Sequence, residues 1–209
     1  MEDVLALYHR PFDPHRPLIC FDEGSKQLVA EVRNPLPPQP GHLARYDFEY
    51  RRNGTANMFI FFAPLSGWRH IKVTARRTMI DWAYCMREMV DVHFPDAEKL
   101  VIVMDNLNTH KLAALYEAFS PTEARRIAEK LEIHYTPKHG SWLNMAEIEL
   151  SVLARQCLSG RIPTHEHLQN MVMAWSRSRN ERATAMNWQF TTEEARIKLH
   201  SLYPSLELR

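Results

Sequence analysis

The segment KLVIVMDNLNTHKLAAL (residues 99–115) decides how the chain is read. Leu100 to Met104 is uninterrupted apolar sequence of strand length, and it runs directly into Asp105 and Asn106 with a helix-like stretch behind. Two meanings fit a carboxylate at that point. Asp105 is either an ordinary turn residue where a buried strand meets water, or a group held at the carboxyl end of a parallel strand, where open α/β sheets place their sites. The choice depends on partners elsewhere in the chain.

The 209 residues suffice for one α/β domain with a sizeable core. With 45% hydrophobic and 24% charged residues the composition is that of a globular protein, and no apolar run reaches membrane-spanning length. The acidic start MEDVLALYHRPFDP lacks the apolar region of a secretory signal. Cys20, Cys85 and Cys157 are widely separated without metal-ligand spacing, which implies a reducing, cytoplasmic setting. A net charge of +1 means that any nucleic-acid surface must come from basic residues gathered on one face. Arg51 and Arg52, Arg76 and Arg77, and Arg177 to Arg182 are the local candidates.

Working outward, PLICFDE (17–23) is a second apolar run that ends on carboxylates, Asp22 and Glu23. A turn at Gly24-Ser25 and a further strand SKQLVAEV are expected after it. Residues 34–46 form a Pro-rich loop that no sheet interior accepts. Residues 48–75 then read as strand, turn at Asn53-Gly54, strand, turn at Ser66-Gly67, strand, so the first third is a twisted antiparallel meander. Helices follow over 78–94, on either side of Ser120-Pro121, over Trp142 to Leu158, over 164–180 with Thr164 as N-cap, and over TTEEARIKLHSLY near the C-terminus. EIHYTP is a short strand between them. The order βββ, then α, β, α, β, α, α predicts a single α/β domain whose later strands pair in parallel.

If the two apolar strands lie side by side, Asp22 and Asp105 project near each other. The helix SWLNMAEIELSVLARQ offers a third acidic group in Glu147 or Glu149. Converging carboxylates repel unless a cation neutralises them, and hard oxygen ligands favour Mg²⁺ or Mn²⁺. Spacing alone leaves open which acidic residues converge.

The segments ICFDEGSKQ, EYRRNGTANMFIFF, VIVMDNLNTHK and YTPKHGSWLNMAEIELS, in this order, resemble the catalytic domain of DDE transposases, specifically the insertion-sequence 630 group of the mariner-like superfamily. The resemblance runs from about residue 17 to 190, and the pair D-N-x-x-x-H and S-W-L-N-x-x-E is specific in combination. It implies a ribonuclease H-like fold: a mixed sheet, antiparallel meander then parallel strands, flanked by helices. It also implies that Asp22, Asp105 and Glu147 are the catalytic and metal-binding triad, with two Mg²⁺ ions (Mn²⁺ as substitute) cutting and joining DNA. The expected partners are element ends, target DNA and a second transposase subunit, in a homodimer or with another chain. The expected setting is the bacterial nucleoid. Asn106, His110, Lys138, His139 and Asn144 are candidates for supporting the triad or contacting DNA.

Two departures stand out. The interval from Asp105 to Glu147 is 42 positions, longer than mariner-like relatives usually show, with the extra length in PTEARRIAEK. Met145 stands where many relatives have Pro. Family members also carry N-terminal helix-turn-helix modules, and none is expected in residues 1–209. That allows a second reading frame of a split element, or a truncated, non-enzymatic fragment that dimerises with full-length protein and inhibits it. A flavodoxin-like phosphoacceptor is the other rival, but it leaves the meander and the Glu147 segment unexplained.

Helical periodicity around Leu143, Ala146, Leu150, Leu153, Ala154 and Cys157 puts Glu147 and Glu149 on opposite edges of the buried stripe and does not choose between them. The motif chooses Glu147 and makes Glu149 an ordinary flank residue whose loss costs little. Asn106 or Asn108 is alternatively a helix cap. Trp142 and the MVMAWS stripe are expected in the core. His165 and His167, at i and i+2, do not share a helical face and are rejected as zinc ligands.

Overall fold

The computed structural model describes residues 1–138 and 140–203. Among these, five strands form one mixed sheet in the order β3-β2-β1-β4-β5. The strands are β1 (Leu18–Glu31), β2 (Tyr50–Ala63), β3 (Trp68–Thr74), β4 (Leu100–Met104) and β5 (Leu131–Tyr135). β1, β2 and β3 pair antiparallel, whereas β4 lies parallel to β1 and β5 parallel to β4.

The helices are α1 (Glu2–Tyr8), α2 (Met79–Glu88), α3 (Ala113–Ala118), α4 (Pro121–Lys130), α5 (Met145–Gln156), α6 (His165–Glu181) and α7 (Thr192–Lys198). Several start where side chains satisfy the free backbone N–H groups of a first turn. Thr78 and Asp81 form a capping box on α2, Ser120 caps α4 with Pro121 behind it, and Thr164 caps α6.

Strand alternation sorts the core into two layers. Leu18, Cys20, Ile60, Val101 and Val103 pack with Leu143, Ala146 and Leu153 around α5, and with residues of α1, α6 and α7. Ile19, Phe21, Phe59, Ile102 and Met104 pack on the other face with Trp82, Met86, Leu115 and Ile127 of α2, α3 and α4. β4 is buried along its whole length, as its unbroken apolar sequence requires.

Two expected turns are not turns. The chain passes through Gly24-Ser25 in extended conformation, and β1 continues to Glu31 paired against β2. Likewise β2 runs unbroken through Asn53-Gly54. Gln27 pairs with Thr55 but Val29 with Arg52, so β2 carries one extra residue there, and Gly54 takes φ +92°. The positive φ that Asn-Gly signals is used in a β-bulge rather than a hairpin. The Ser66-Gly67 turn is present, with Gly67 at φ +69° and its N–H donating to the Ala63 carbonyl. Helix α1 was not anticipated; its Val4, Leu5 and Leu7 are buried against the α5 layer. No helix of the described residues is long and apolar enough to cross a membrane.

Candidate active site

β1 and β4 run parallel with Cys20 beside Val103, and two residues further on each delivers a carboxylate, Asp22 and Asp105. Asp22 is in phase with the side chains that pack under α5, so it emerges on that face, while Asp105 follows the last residue of β4 and reaches His110. Glu147 stands exposed in the first turn of α5. Its position is fixed three residues earlier by Asn144, which is buried. The Asn144 amide donates to the Phe21 carbonyl at 2.7 Å, next to Asp22, and its Oδ1 accepts from the Ala146 N–H at 3.1 Å, capping α5. One side chain therefore sets the helix start against the strand that carries Asp22.

The Asp22 carboxyl feels the charges of the other two. Burial pushes the Asp22 carboxyl up, and the charges of Asp105, Glu147 and Glu23 push it further, to about 6, although the Glu23 N–H donates to its Oδ1 at 2.7 Å. Among the described residues, the oxygens of Asp22, Asp105 and Glu147 are not all within 4.8 Å of one another.

His110 is fully buried between two acids. Nδ1 lies 2.7 Å from Asp105 Oδ1 and Nε2 3.3 Å from Glu23 Oε2, with the ring edge-on to Phe21. Burial opposes the imidazolium, but the hydrogen bonds to Asp105 and Glu23 outweigh it and raise the pKa to about 9. Each ring nitrogen thus faces a carboxylate oxygen, an arrangement that favours the imidazolium form. Of the two roles considered for His110, the geometry is that of a carboxylate orienter. Glu23 had been given no role. Strand alternation sends it to the face opposite Asp22, where it meets His110 and, at 3.3 Å, Arg77; its adjacency to Asp22 was the only signal.

The remaining candidates divide. Asn106 is exposed, and neither it nor Asn108 caps α3, whose cap is Leu112; Asn108 accepts from Lys111 Nζ at 3.0 Å. Lys138 is exposed in the turn after β5, and His139 lies outside the described residues. Trp142 is 38% exposed and packs on Trp188 and Phe190 rather than in the core. In the MVMAWS stripe Val172 is buried, but Met173 is largely exposed.

Glu149 overturns its expected reading as an ordinary flank residue. It is 0% exposed, forms an ion pair at 2.7 Å with Arg69, an arginine of β3 that is itself fully buried, and accepts from Arg179 of α6 at 2.9 Å. The buried face of α5 comprises Met145, Ala146, Glu149 and Leu153, and Ala154 is exposed. The stripe turns toward Glu149 because Arg69 supplies the opposite charge there.

Residues 17–169 match the family model of DDE superfamily endonucleases. No curated protein matches. Among solved structures, the fold is similar to the Mos1 mariner paired-end complex with Mn (TM-score 0.56, 16% identity over 88% of this chain and 55% of that one). It is also similar to the Mos1 strand transfer complex (TM-score 0.54, 13% identity, 90% and 60%), and to the Mos1 transposase paired-end complex with left transposon end (TM-score 0.52, 15% identity, 88% and 55%). The chain thus spans little more than half the length of these proteins. At such identity the likeness speaks for the fold, and the expected ribonuclease H-like mixed sheet is borne out. Since the family model covers most of the sequence, the chain belongs to the DDE superfamily endonucleases.

Proposed function

We propose that this is the catalytic domain of an insertion-sequence 630-type transposase, cutting and rejoining DNA with Asp22, Asp105 and Glu147 as ligands to two divalent cations, Mg²⁺ or Mn²⁺. The observation that carries this reading is the approach of three carboxylates in a DDE-family chain: Asp22 within β1, just past its parallel pairing with β4, Asp105 immediately after β4, and Glu147 in the first turn of α5. The donor set fits the group. Its oxygens are hard, its charge is uncompensated around Asp22, and it is spread wider than one ion's ligand shell. When bound, two such cations would supply an activated water or 3′-hydroxyl and charge relief at the leaving oxygen.

The chain's own groups divide the remaining work. Asp22, Asp105 and Glu147 would together hold the cations. His110 keeps Asp105 in a single orientation, and Asn144 keeps Glu147 in reach. Element ends and target DNA are the substrates, and a second subunit, identical or a fuller transposase, is the partner. The paired-end and strand-transfer assemblies of Mos1 support that choice. The direct test is Mn²⁺- or Mg²⁺-dependent nicking of supercoiled plasmid. A folded protein that never nicks, and that suppresses a full-length transposase on mixing, would replace this reading with that of a dimerising inhibitor.

Two further outcomes are expected. Mn²⁺ should raise the melting temperature, since a ligand of the native state at a hundredfold excess over its Kd adds about 2.7 kcal/mol. Glu147→Gln should remove most of that rise. Asp105→Asn is the less clean variant, because it also takes a carboxylate from His110. Binding to duplex DNA, measured by anisotropy, should be weak, indifferent to sequence and steeply weakened by salt, because it rests on phosphate contacts by exposed arginines such as Arg51, Arg52 and Arg76. Tight, salt-resistant binding to one sequence would place recognition within these residues.

A further inference from the structure

At the β3 edge of the sheet, on the face opposite the carboxylate cluster, three ligand-type side chains meet: His70 of β3, Glu88 at the end of α2, and His93 just beyond it. Each Nε2 approaches the same oxygen, Glu88 Oε1, at 3.3 Å from His70 and 3.6 Å from His93, and one ligand atom from each residue lies within 4.8 Å of the others. Four ligands at zinc's bond lengths of about 2.0–2.1 Å sit about 3.3–3.4 Å apart along a tetrahedral edge. The two nitrogen–oxygen separations are close to that spacing.

Hydrogen bonding does not account for the approach. Both Nε2 atoms are buried, and neither makes a hydrogen bond of acceptable geometry with any described residue. Buried polar atoms in native structures nearly always have a partner. Glu88 Oε2 is taken by Lys72 Nζ at 2.6 Å, which leaves Oε1 for the histidines. A neutral imidazole offers one lone pair, so each ring can present Nε2 as a ligand when Nδ1 carries its proton.

The backbone supplies an independent observation. Residues Met89–His93 form a π-helical turn, and the Phe94 N–H donates to the Met89 carbonyl at 2.9 Å, five residues back. In a continued α-helix the residue over Glu88 would be Val92. The wider turn brings His93 there and leaves Val92 in solvent, 66% exposed. Such turns often mark functional positions. A cleft of about 380 Å³ lined by Trp68, His70, His93, Gln169, Met173 and Arg177 opens beside the cluster and gives an ion a way in and room for a water as fourth ligand.

We propose that His70, Glu88 and His93 form a transition-metal site of the Zn²⁺ class, which ties the edge strand β3 to the end of α2 and is separate from the carboxylate site. It does not depend on the proposed transposase chemistry.

The test uses the full chain and the metal alone. Co²⁺ added to the unaltered protein should give the intense visible bands of a four-coordinate, imidazole-bound ion, which an all-oxygen six-coordinate site does not give. Zn²⁺ should displace it at one equivalent. The bands should persist in Asp22→Asn, and affinity should fall at least about tenfold in His93→Gln and Glu88→Gln, each first checked for a native circular dichroism spectrum. Zn²⁺ should also shift the His70 and His93 ring resonances of the unaltered protein, a readout that needs no variant to fold. Absence of the bands and of those shifts, or an affinity unchanged in folded His93→Gln, would overturn the site.

Discussion

On the proposed function, Glu147→Gln is expected to fold and melt like the parent protein but to lose Mn²⁺-dependent plasmid nicking by at least roughly 100-fold, since changes to groups merely behind a metal ligand already cost up to about that much. Glu147 is exposed, makes no hydrogen bond that the fold uses, and adds negative charge beside Asp22. Its neutralisation removes repulsion and leaves metal-free stability unchanged or slightly higher. The measurement is nicking rate against Mn²⁺ concentration beside a melting curve. A Glu147→Gln protein that cuts at the parent rate would show that the third ligand has been misassigned.

Glu149→Gln does the reverse. It leaves Arg69, fully buried and packed over Phe62, without its carboxylate, and it removes the partner of Arg179. Breaking one side of a buried ion pair costs about 3–5 kcal/mol. In a chain of this length that lowers the melting temperature by roughly 6–20 °C. Nicking per folded molecule, assayed well below the transition, should be retained. A melting curve unchanged by Glu149→Gln would mean that Arg69 finds other compensation. Together the two variants separate a residue needed for chemistry from its neighbour two positions on that is needed for folding.

The apolar runs that lead to Asp22 and Asp105 were legible in sequence, but the runs alone left an ordinary turn as an equal reading of Asp105, and β1 does not stop at Asp22 but continues to Glu31. Glu149 was not legible. Periodicity counts a glutamate as polar, and the charge that makes its burial possible is Arg69, 80 positions earlier, in phase with Ile71 and Val73 on the buried face of β3. Asn53-Gly54 misled for a related reason: the dipeptide reports a positive φ, which hairpins and bulges both use, and only the pairing of the whole ribbon distinguishes them. The π turn after α2 adds a single residue to a helical repeat, less than pattern reading resolves. His110 and Asn144 were found through the motif, but their tasks were not, because a hydrogen bond to Asp105 or to the Phe21 carbonyl is a property of the assembled sheet.

Helix α5 is fastened at two points, by the Asn144 amide to β1 and by Glu149 to β3, and Glu147 lies between them. It behaves as a beam supported near one end and at mid-span, and the stretch carrying Glu147 has little freedom to sway. The span from Glu147 to Asp22 is therefore set by these two fastenings, and the 42 positions of chain since Asp105 do not enter into it. Lineages can lengthen or shorten the segment through α3, α4 and β5 while the spacing of Glu147 from Asp22 stays constant, so the interval between motifs is a poor measure of the geometry between their carboxylates.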